Sequence, residues 1–429
     1  MKKRSLSMLN APSSQRRLAR LTAHLQPTPS TAGGGGGGGD GMLRPCATLS
    51  SLDRSCARFP DEDGLLEYSV VYTDRALNHM SKKFQRVMLH LSATLKKVYN
   101  AHATAIIPGC GTYGMEACAR QFGTGQKVLV LRNGFFSFRW SQIFEAGVTP
   151  AQEIVMCARP VTGGPNPQYA PAPIAEVVAT IRRERPGLVV APHVETSAGM
   201  ILPDGYIRAV ADAVHEVGGL FVLDCIASGT VWVDMQATGV DVIISAPQKG
   251  WTGPACAALI MMSEAARAKV DATESTSFSI SLKKWTAVMD AYEGGGHSYH
   301  ATMPTDALTQ FRDVMVETEN YGFAKVKQEQ LELGVAMRAA LAKRGYKSVA
   351  ADDCAAPGVV VAYTDDAGFK TGAKFAAQGM QIAGGVPLMV DDFTSGADFH
   401  TFRLGLFGLD KLHNIDRTVQ LLEQRLDNM

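Results

Sequence analysis

Long apolar runs are missing. Nowhere do the 429 residues string together the roughly eighteen apolar side chains that a membrane-spanning helix needs, and the longest apolar segments, Gly187 to Pro192 and Gly219 to Leu223, are of strand length. A dominant charge is missing too. Lys plus Arg number 42 and Asp plus Glu 41, so the chain offers no general field for nucleic acid or an anionic bilayer. None of the eight cysteines, at 46, 56, 110, 118, 157, 225, 256 and 354, falls in a C-x-x-C pair. That excludes a zinc ribbon or thioredoxin-like motif and points to reduced thiols in a reducing compartment, several beside strand-like residues where cysteine serves as a small apolar side chain. The h-region of a secretory signal is absent as well. What remains, 46% apolar and 19% charged residues, is the balance of a soluble packed enzyme, and the length predicts a large domain with a smaller one beside it.

Charge is uneven along the chain. Residues 1–60 carry nine basic side chains against Asp40 and Asp53, leaving 33 basic against 39 acidic in the rest. This segment is rich in Ser, Arg and Pro and contains the glycine run Gly33 to Gly39, a composition that cannot bury enough apolar surface to order itself. We expect a flexible basic extension over 1–60. Leu18, Leu21 and Leu25 opposite Arg16, Arg17 and Arg20 leave a transit peptide open, and hence a mitochondrial matrix location; otherwise the expected place is the cytoplasm. A working chain that begins near Met42 is the other alternative.

From about Asp61 short β-like runs alternate with amphipathic stretches, which predicts an α/β domain whose helices cover both faces of a mostly parallel, doubly wound sheet. Strands are expected at Thr104–Ile107, Lys127–Leu131, Glu153–Cys157, Leu188–Ala191, Leu220–Leu223, Val242–Ser245 and Ala257–Met261. Helices are expected at Gly114–Phe122, Phe136–Ala146, Ile174–Glu184 and Gly205–Glu216. After about residue 305 the texture changes to a long helical stretch through Ala342, a strand at Val359–Tyr363, a helix near Gly372–Gln378, a strand at His400–Gly405 and a last helix at Lys411–Asp427. We therefore expect a large domain over 61–305 and a smaller α+β domain over 306–429.

Three segments carry chemistry. In Ser245-Ala-Pro-Gln-Lys-Gly250 a lysine lies just past the carboxyl end of a buried strand, where ligands bind in open α/β sheets; a lysine that loses solvation there becomes a nucleophile for a carbonyl. The strand Gly219 to Leu223 ends in Asp224, and a carboxylate beside a pyridine ring would keep its nitrogen protonated, the arrangement that makes pyridoxal phosphate an electron sink. Taken singly, Lys249 also reads as a surface lysine and Asp224 as a turn cap. Third, Pro108-Gly-Cys-Gly-Thr-Tyr-Gly-Met-Glu116 follows a strand and opens a helix, where glycines, free N–H groups and the Thr112 hydroxyl suit a phosphate. Gly109, Gly111 and Gly114 also spell G-x-G-x-x-G, but the next strand runs out at Leu131, Arg132 and Asn133 without the acid that holds a ribose. Arg132 could favour a 2′-phosphate, which keeps an NADP-dependent oxidoreductase as an alternative.

Together these segments resemble the class V, fold type I pyridoxal-phosphate enzymes, and among them the alanine–glyoxylate and serine–pyruvate aminotransferases, over most of residues 65–425. The resemblance implies that Lys249 carries the cofactor, with Gln248 beside it, and that Asp224 pairs with the pyridine nitrogen. Ile226 falls where the family packs one ring face, and Phe136 of Asn133-Gly-Phe-Phe136, with Phe135 as second choice, where an aromatic covers the other. Cys110, Gly111 and Thr112 fall on the phosphate loop. Thr196, in His193-Val-Glu-Thr-Ser-Ala-Gly199, falls on a hydroxyl that reaches the cofactor or the substrate carboxylate, and His193 reads as structural. Tyr299 and Thr302 of Ser298-Tyr-His-Ala-Thr-Met-Pro304 match a segment that binds phosphate in the other subunit, which implies a homodimer with shared sites. Arg403 of Thr401-Phe-Arg-Leu-Gly405 matches the arginine that grips the α-carboxylate with its bidentate fork.

The implied reaction moves an amino group from a small amino acid to a 2-oxo acid such as glyoxylate or pyruvate by ping-pong kinetics, with no metal. Two departures bear on the substrate. Tyr68-Ser-Val-Val-Tyr-Thr-Asp-Arg75 stands where the family has a Pro-Gly-Pro loop, and Thr112 and Cys110 stand where the best-known members have His and Ser. A class V lyase or desulfurase is the nearer alternative and would need a mobile cysteine, for which Cys354 is the candidate.

Overall fold

The structure is a computed structural model that describes residues 65–147, 150–396 and 398–429; the basic extension expected over 1–60 lies outside them. Seven strands form the main sheet: β1 (Ala103–Pro108), β2 (Lys127–Arg132), β3 (Gln152–Cys157), β4 (Leu188–Pro192), β5 (Leu220–Asp224), β6 (Val242–Ser245) and β7 (Ala257–Met262). They lie in the order β1-β7-β6-β5-β4-β2-β3. The run from β6 to β3 is parallel, and β7 is antiparallel to both β1 and β6. β4, β6 and β7 are buried along their whole length, as strands covered on both faces must be, which is why they read as continuous Val, Ile and Leu runs rather than alternating ones.

Helices of eight residues or more are α1 (Lys82–Tyr99), α2 (Gly111–Cys118), α3 (Phe135–Gly147), α4 (Ile174–Glu184), α5 (Asp204–Glu216), α6 (Glu264–Ala272), α7 (Leu282–Glu293), α8 (Thr305–Tyr321), α9 (Phe323–Ala342) and α10 (Ile415–Leu426). Serines start three of them: Ser81, Ser263 and Ser281 accept from the amides of Phe84, Ala266 and Lys284, satisfying a donor that has no partner in the first turn. Three expected helices differ, the last of them because the stretch read over Lys411–Asp427 is a single turn at Leu409–Leu412 followed by α10 from Ile415. The one read over Gly114–Phe122 begins at Gly111 and passes after Cys118 into a wider turn over Ala119–Gly123. The long stretch from 305 to Ala342 is two helices, because the chain turns at Gly322 with φ 109°, a conformation closed to side chains with a Cβ.

A second sheet near the C-terminus, β8 (Val359–Tyr363), β9 (Ala383–Gly384) and β10 (Thr401–Gly405), is antiparallel in the order β8-β10-β9. Its register sets Arg403 opposite Val361 and Ala383. One apolar cluster joins this sheet, through Val359, Val361 and Tyr363, to Val194, Ala198 and Met200 in the loop after β4. Arg338 of α9 ties the same parts together, donating to the carbonyls of Gly199, Ala356 and Val359 at 2.7–3.1 Å. The loop after β4 and the strand that carries Arg403 are thereby held in one frame.

Candidate active site

Five loops converge at the carboxyl edge of the main sheet. Ile244 lies opposite Asp224 and Pro192 opposite Asp224 in register, so the segments after β4, β5 and β6 leave the sheet side by side. Pro108 pairs with Ala257 and Ser245 with Leu259 across β7, which brings the loop after β1 to the same edge, and β2 adds its own terminus beside β4. This is where an open α/β sheet binds its ligand.

Asp224 ends β5 only 7% exposed. Among the described residues one hydrogen bond, from the Ile226 amide at 2.9 Å, reaches its carboxylate, too little to offset the loss of water. Burial raises its pKa to about 7, helped by the charge of Glu195, while Ile226, Arg139 and Lys249 act the other way. Lys249 is half-buried, its Nζ 5.4 Å from the centre of the Phe407 ring. Burial lowers its pKa first, and the Arg403 and Arg139 charges lower it further against the pull of Asp224. The loop bearing it is anchored by Trp251, fully buried against Trp232 at 4.5 Å and against Tyr99, Phe311 and Phe323. It turns tightly at Gly250, where any Cβ would overlap the Gly229 carbonyl oxygen.

Glu195 and Arg139 are the two groups that reading the sequence missed. Glu195 is fully buried and accepts five hydrogen bonds of 2.7–3.1 Å from the amides of Phe136, Ser137 and Ser197 and the hydroxyls of Ser137 and Ser197. Its charge thus sits at the N-terminus of α3, where helix amides favour an anion, and it fixes Phe136 against the loop after β4. Arg139 lies one turn beyond Phe136, its guanidinium 5.2 Å from that ring, and its Nη1 donates to Thr112 Oγ1 at 2.9 Å. The available signals were an acid inside the His193–Gly199 loop and an arginine at the i+3 position from Phe136.

Other expected residues gather around these. Ile226 packs over Gly111, where a Cβ would come within 2.5 Å of it, so the glycine admits the side chain to the loop after β1. Cys110 precedes α2 in extended conformation with no side-chain cap, leaving the first amides of α2 without an intrahelical partner. Thr196 is half-buried in its loop. Gln248 Oε1 is buried and unpartnered among the described residues. Arg403 reaches the Phe136 ring at 5.6 Å while its Nε donates to Gly384 O at 2.8 Å.

Tyr299 and Thr302 are elsewhere. They bond to each other at 3.1 Å, Tyr299 is 50% exposed, and its ring neighbours His79 at 5.5 Å in a group with Tyr72 and His297. Tyr72, from the unfamiliar Tyr68–Arg75 segment, donates to Met303 O, so that segment packs on the Tyr299 loop. His193 is structural: buried, with Nδ1 2.7 Å from Ser228 Oγ and its pKa lowered to about 3 by desolvation. Cys354 is also buried, its thiol pushed up to about 12 by burial, which removes the thiolate a desulfurase needs. Arg132 is turned into α3, donating to Ser141 Oγ at 2.6 Å with its guanidinium 4.5 Å from the Phe138 ring, and is not presented to a nucleotide phosphate.

The strand order with its single reversed strand, the C-terminal antiparallel sheet and the converging loops define a fold type I pyridoxal-phosphate transferase. The crystal structure of alanine–glyoxylate aminotransferase from Nostoc sp. superimposes with a TM-score of 0.68 at 21% identity, over 82% of this chain and 89% of that one. Residues 64–383 match the family model of the class-V aminotransferases, and the chain belongs to that family, whose members are pyridoxal-phosphate-dependent transaminase-type enzymes. Alanine–glyoxylate aminotransferase of Oryctolagus cuniculus is 23% identical over 363 residues, covering 82% of this chain and 87% of the relative. A protein of Synechococcus sp. named soluble hydrogenase, small subunit, is 27% identical over 289 residues, 66% of this chain and 71% of its own. Among the described residues no helix is long and apolar enough to cross a membrane.

Proposed function

We propose that this protein holds pyridoxal phosphate on Lys249 and transfers an amino group from a small amino acid of alanine or serine type to a 2-oxo acid such as glyoxylate or pyruvate. One observation carries the reading: Asp224, buried at the end of β5, lies in register beside Ile244 of β6, so that the loop with the half-buried Lys249 leaves the same sheet edge, where Arg403 reaches the Phe136 ring. The donor set fits the cofactor. Asp224 has hydrogen-bonding capacity to spare for a ring N–H, Gln248 keeps an orphaned buried oxygen, and the amides opening α2 with the Thr112 and Thr196 hydroxyls suit a phosphate. Phe136 and Ile226 supply apolar surface for the ring.

Bound there, pyridoxal phosphate supplies an electron sink for the charge left when the α-proton departs. Arg403 orients the substrate by holding its α-carboxylate. Lys249 Nζ, made less basic by its surroundings, takes the α-proton and returns one in the second half-reaction. Asp224 would hold a proton toward the ring nitrogen, and Trp251 with its aromatic neighbours keeps water from behind the lysine loop.

The small domain that brings Arg403 to the site begins near residue 305 in this reading, and the active unit is a homodimer in which Tyr299 and Thr302 complete the partner's phosphate contacts. The exposed Tyr68, Phe278 and Tyr299 supply apolar surface for that association. The test is a donor screen: alanine, serine and aspartate are supplied singly with glyoxylate or pyruvate, and keto acid release and the new amino acid are followed together. The expected result is matched formation of both with ping-pong kinetics. Sulfide release from cysteine without transamination from any donor would overturn the reading.

A further inference from the structure

Arg139 brings a charge into the site that the reaction as described does not use. It shares a face of α3 with Phe136, three residues earlier, and its guanidinium spans from that ring to the phosphate loop through the bond to Thr112. Its charge bears on Lys249 and Asp224 alike. Arg403 approaches the same ring from β10. Among the described residues each of these two guanidiniums makes one hydrogen bond, and each goes to a neutral oxygen, the Thr112 hydroxyl or the Gly384 carbonyl. The nearby carboxylate of Glu195 is saturated by amides and hydroxyls instead. A half-buried guanidinium without a carboxylate keeps several charged donors for an incoming anion.

We infer that Arg139 and Thr112 form a second anion site, separate from the α-carboxylate site at Arg403, that takes a carboxylate, phosphonate or phosphate group. The inference rests on the cofactor reading above. Thr112 accepts from Arg139 and so keeps its own O–H to donate, which gives the pair a charged fork and a hydroxyl side by side. Two sources carry such a group: a second acidic function on the amino donor, and the phosphate of the cofactor. A donor with a single carboxylate needs only Arg403, so the first source would let this enzyme take a diacidic donor beside those of alanine or serine type and hold it more tightly.

Arg139→Gln and the wild type are compared by titration calorimetry with pyridoxal phosphate against pyridoxal, and with succinate against propionate on the loaded protein. If the phosphate is the ligand, the variant binds pyridoxal phosphate roughly ten- to hundredfold more weakly, as for a lost charge-assisted hydrogen bond, with pyridoxal unchanged. If the donor's second acid is the ligand, pyridoxal phosphate binding holds, succinate weakens by that factor with propionate unchanged, and kcat/KM for aspartate falls relative to alanine. Unchanged affinity for both anions overturns the inference, as does a parallel loss for pyridoxal and propionate, which marks mere packing. Where Arg139→Gln fails to fold, Thr112→Val carries the same test with a severalfold loss expected in the same ligand, and no loss overturns it. Should the wild type bind no pyridoxal phosphate, the cofactor reading fails by itself, and succinate binding to the unloaded protein still decides the anion site.

Discussion

Two aspartates stand at opposite edges of the main sheet, both nearly sealed from solvent, and their partners differ. Asp241, 3% exposed just before β6, accepts from His215 Nε2 and the Phe221 amide at 2.9 Å each and from Ser263 Oγ at 3.1 Å. Asp224, at the carboxyl end of β5, has a single amide among the described residues. A buried carboxylate with three donors is a structural joint, tying α5, β5 and the start of α6 together. A buried carboxylate with one donor is poised to take another partner, and its pKa of about 7 reflects burial that the Ile226 amide and the Arg139 and Lys249 charges offset only in part. Perturbed groups of this kind concentrate at functional sites, and here the contrast exists within one sheet.

The largest effect expected is on catalysis: Asp224→Asn lowers kcat/KM by roughly 10²–10³-fold in a steady-state assay, with the fold intact by circular dichroism. Next comes pH. Asp224 has a folded pKa raised to about 7 against 3.8 unfolded, so the native state binds its proton more tightly and the stabilisation this gives is complete below about pH 4. It is lost as pH rises through 7, on the order of 4 kcal/mol at most. Urea titrations of cofactor-free protein between those values should show that decline, and the Asn variant should lack it. Asp241→Asn should do the reverse: about 1–3 kcal/mol of stability disappears through mismatched donors, with activity per folded molecule near wild type. The smallest effect is at His215, whose pKa is raised first by its bond to Asp241. Its contribution is present below its unfolded pKa and fades as pH rises through the higher folded value. Half-exposed, it is worth less than about 1 kcal/mol after solvent screening, read as a small shift in His215→Ala that vanishes at high pH.

The placing of Asp224 and Lys249 at one sheet edge was legible in the chain because Asp224 closes the apolar strand β5 and Lys249 follows the end of β6 by four residues, and a strand end in an α/β sheet is a short list of positions. Boundaries of β4 to β7 were readable for the same reason, to within a residue. Glu195 was not legible: a lone acid between Val194 and Thr196 looks like any loop carboxylate until Ser137, 58 residues away, is folded against it. Arg139 looked like one polar residue on an amphipathic helix, since its partner Thr112 is 27 residues upstream. The Gly322 break and the divided turn after Cys118 depend on packing that local propensity does not encode. Periodicity finds what a segment does by itself, whereas a charge held by distant donors appears only when the chain is closed.

The most direct measurement is chemical. Protein incubated with pyridoxal phosphate is reduced with borohydride, digested and mapped by mass spectrometry. The modified residue should be Lys249, with the same label yield in Asp241→Asn. A label on another lysine, or none on the peptide that contains Gln248 and Trp251, would contradict the placing of the chemistry at this edge of the sheet.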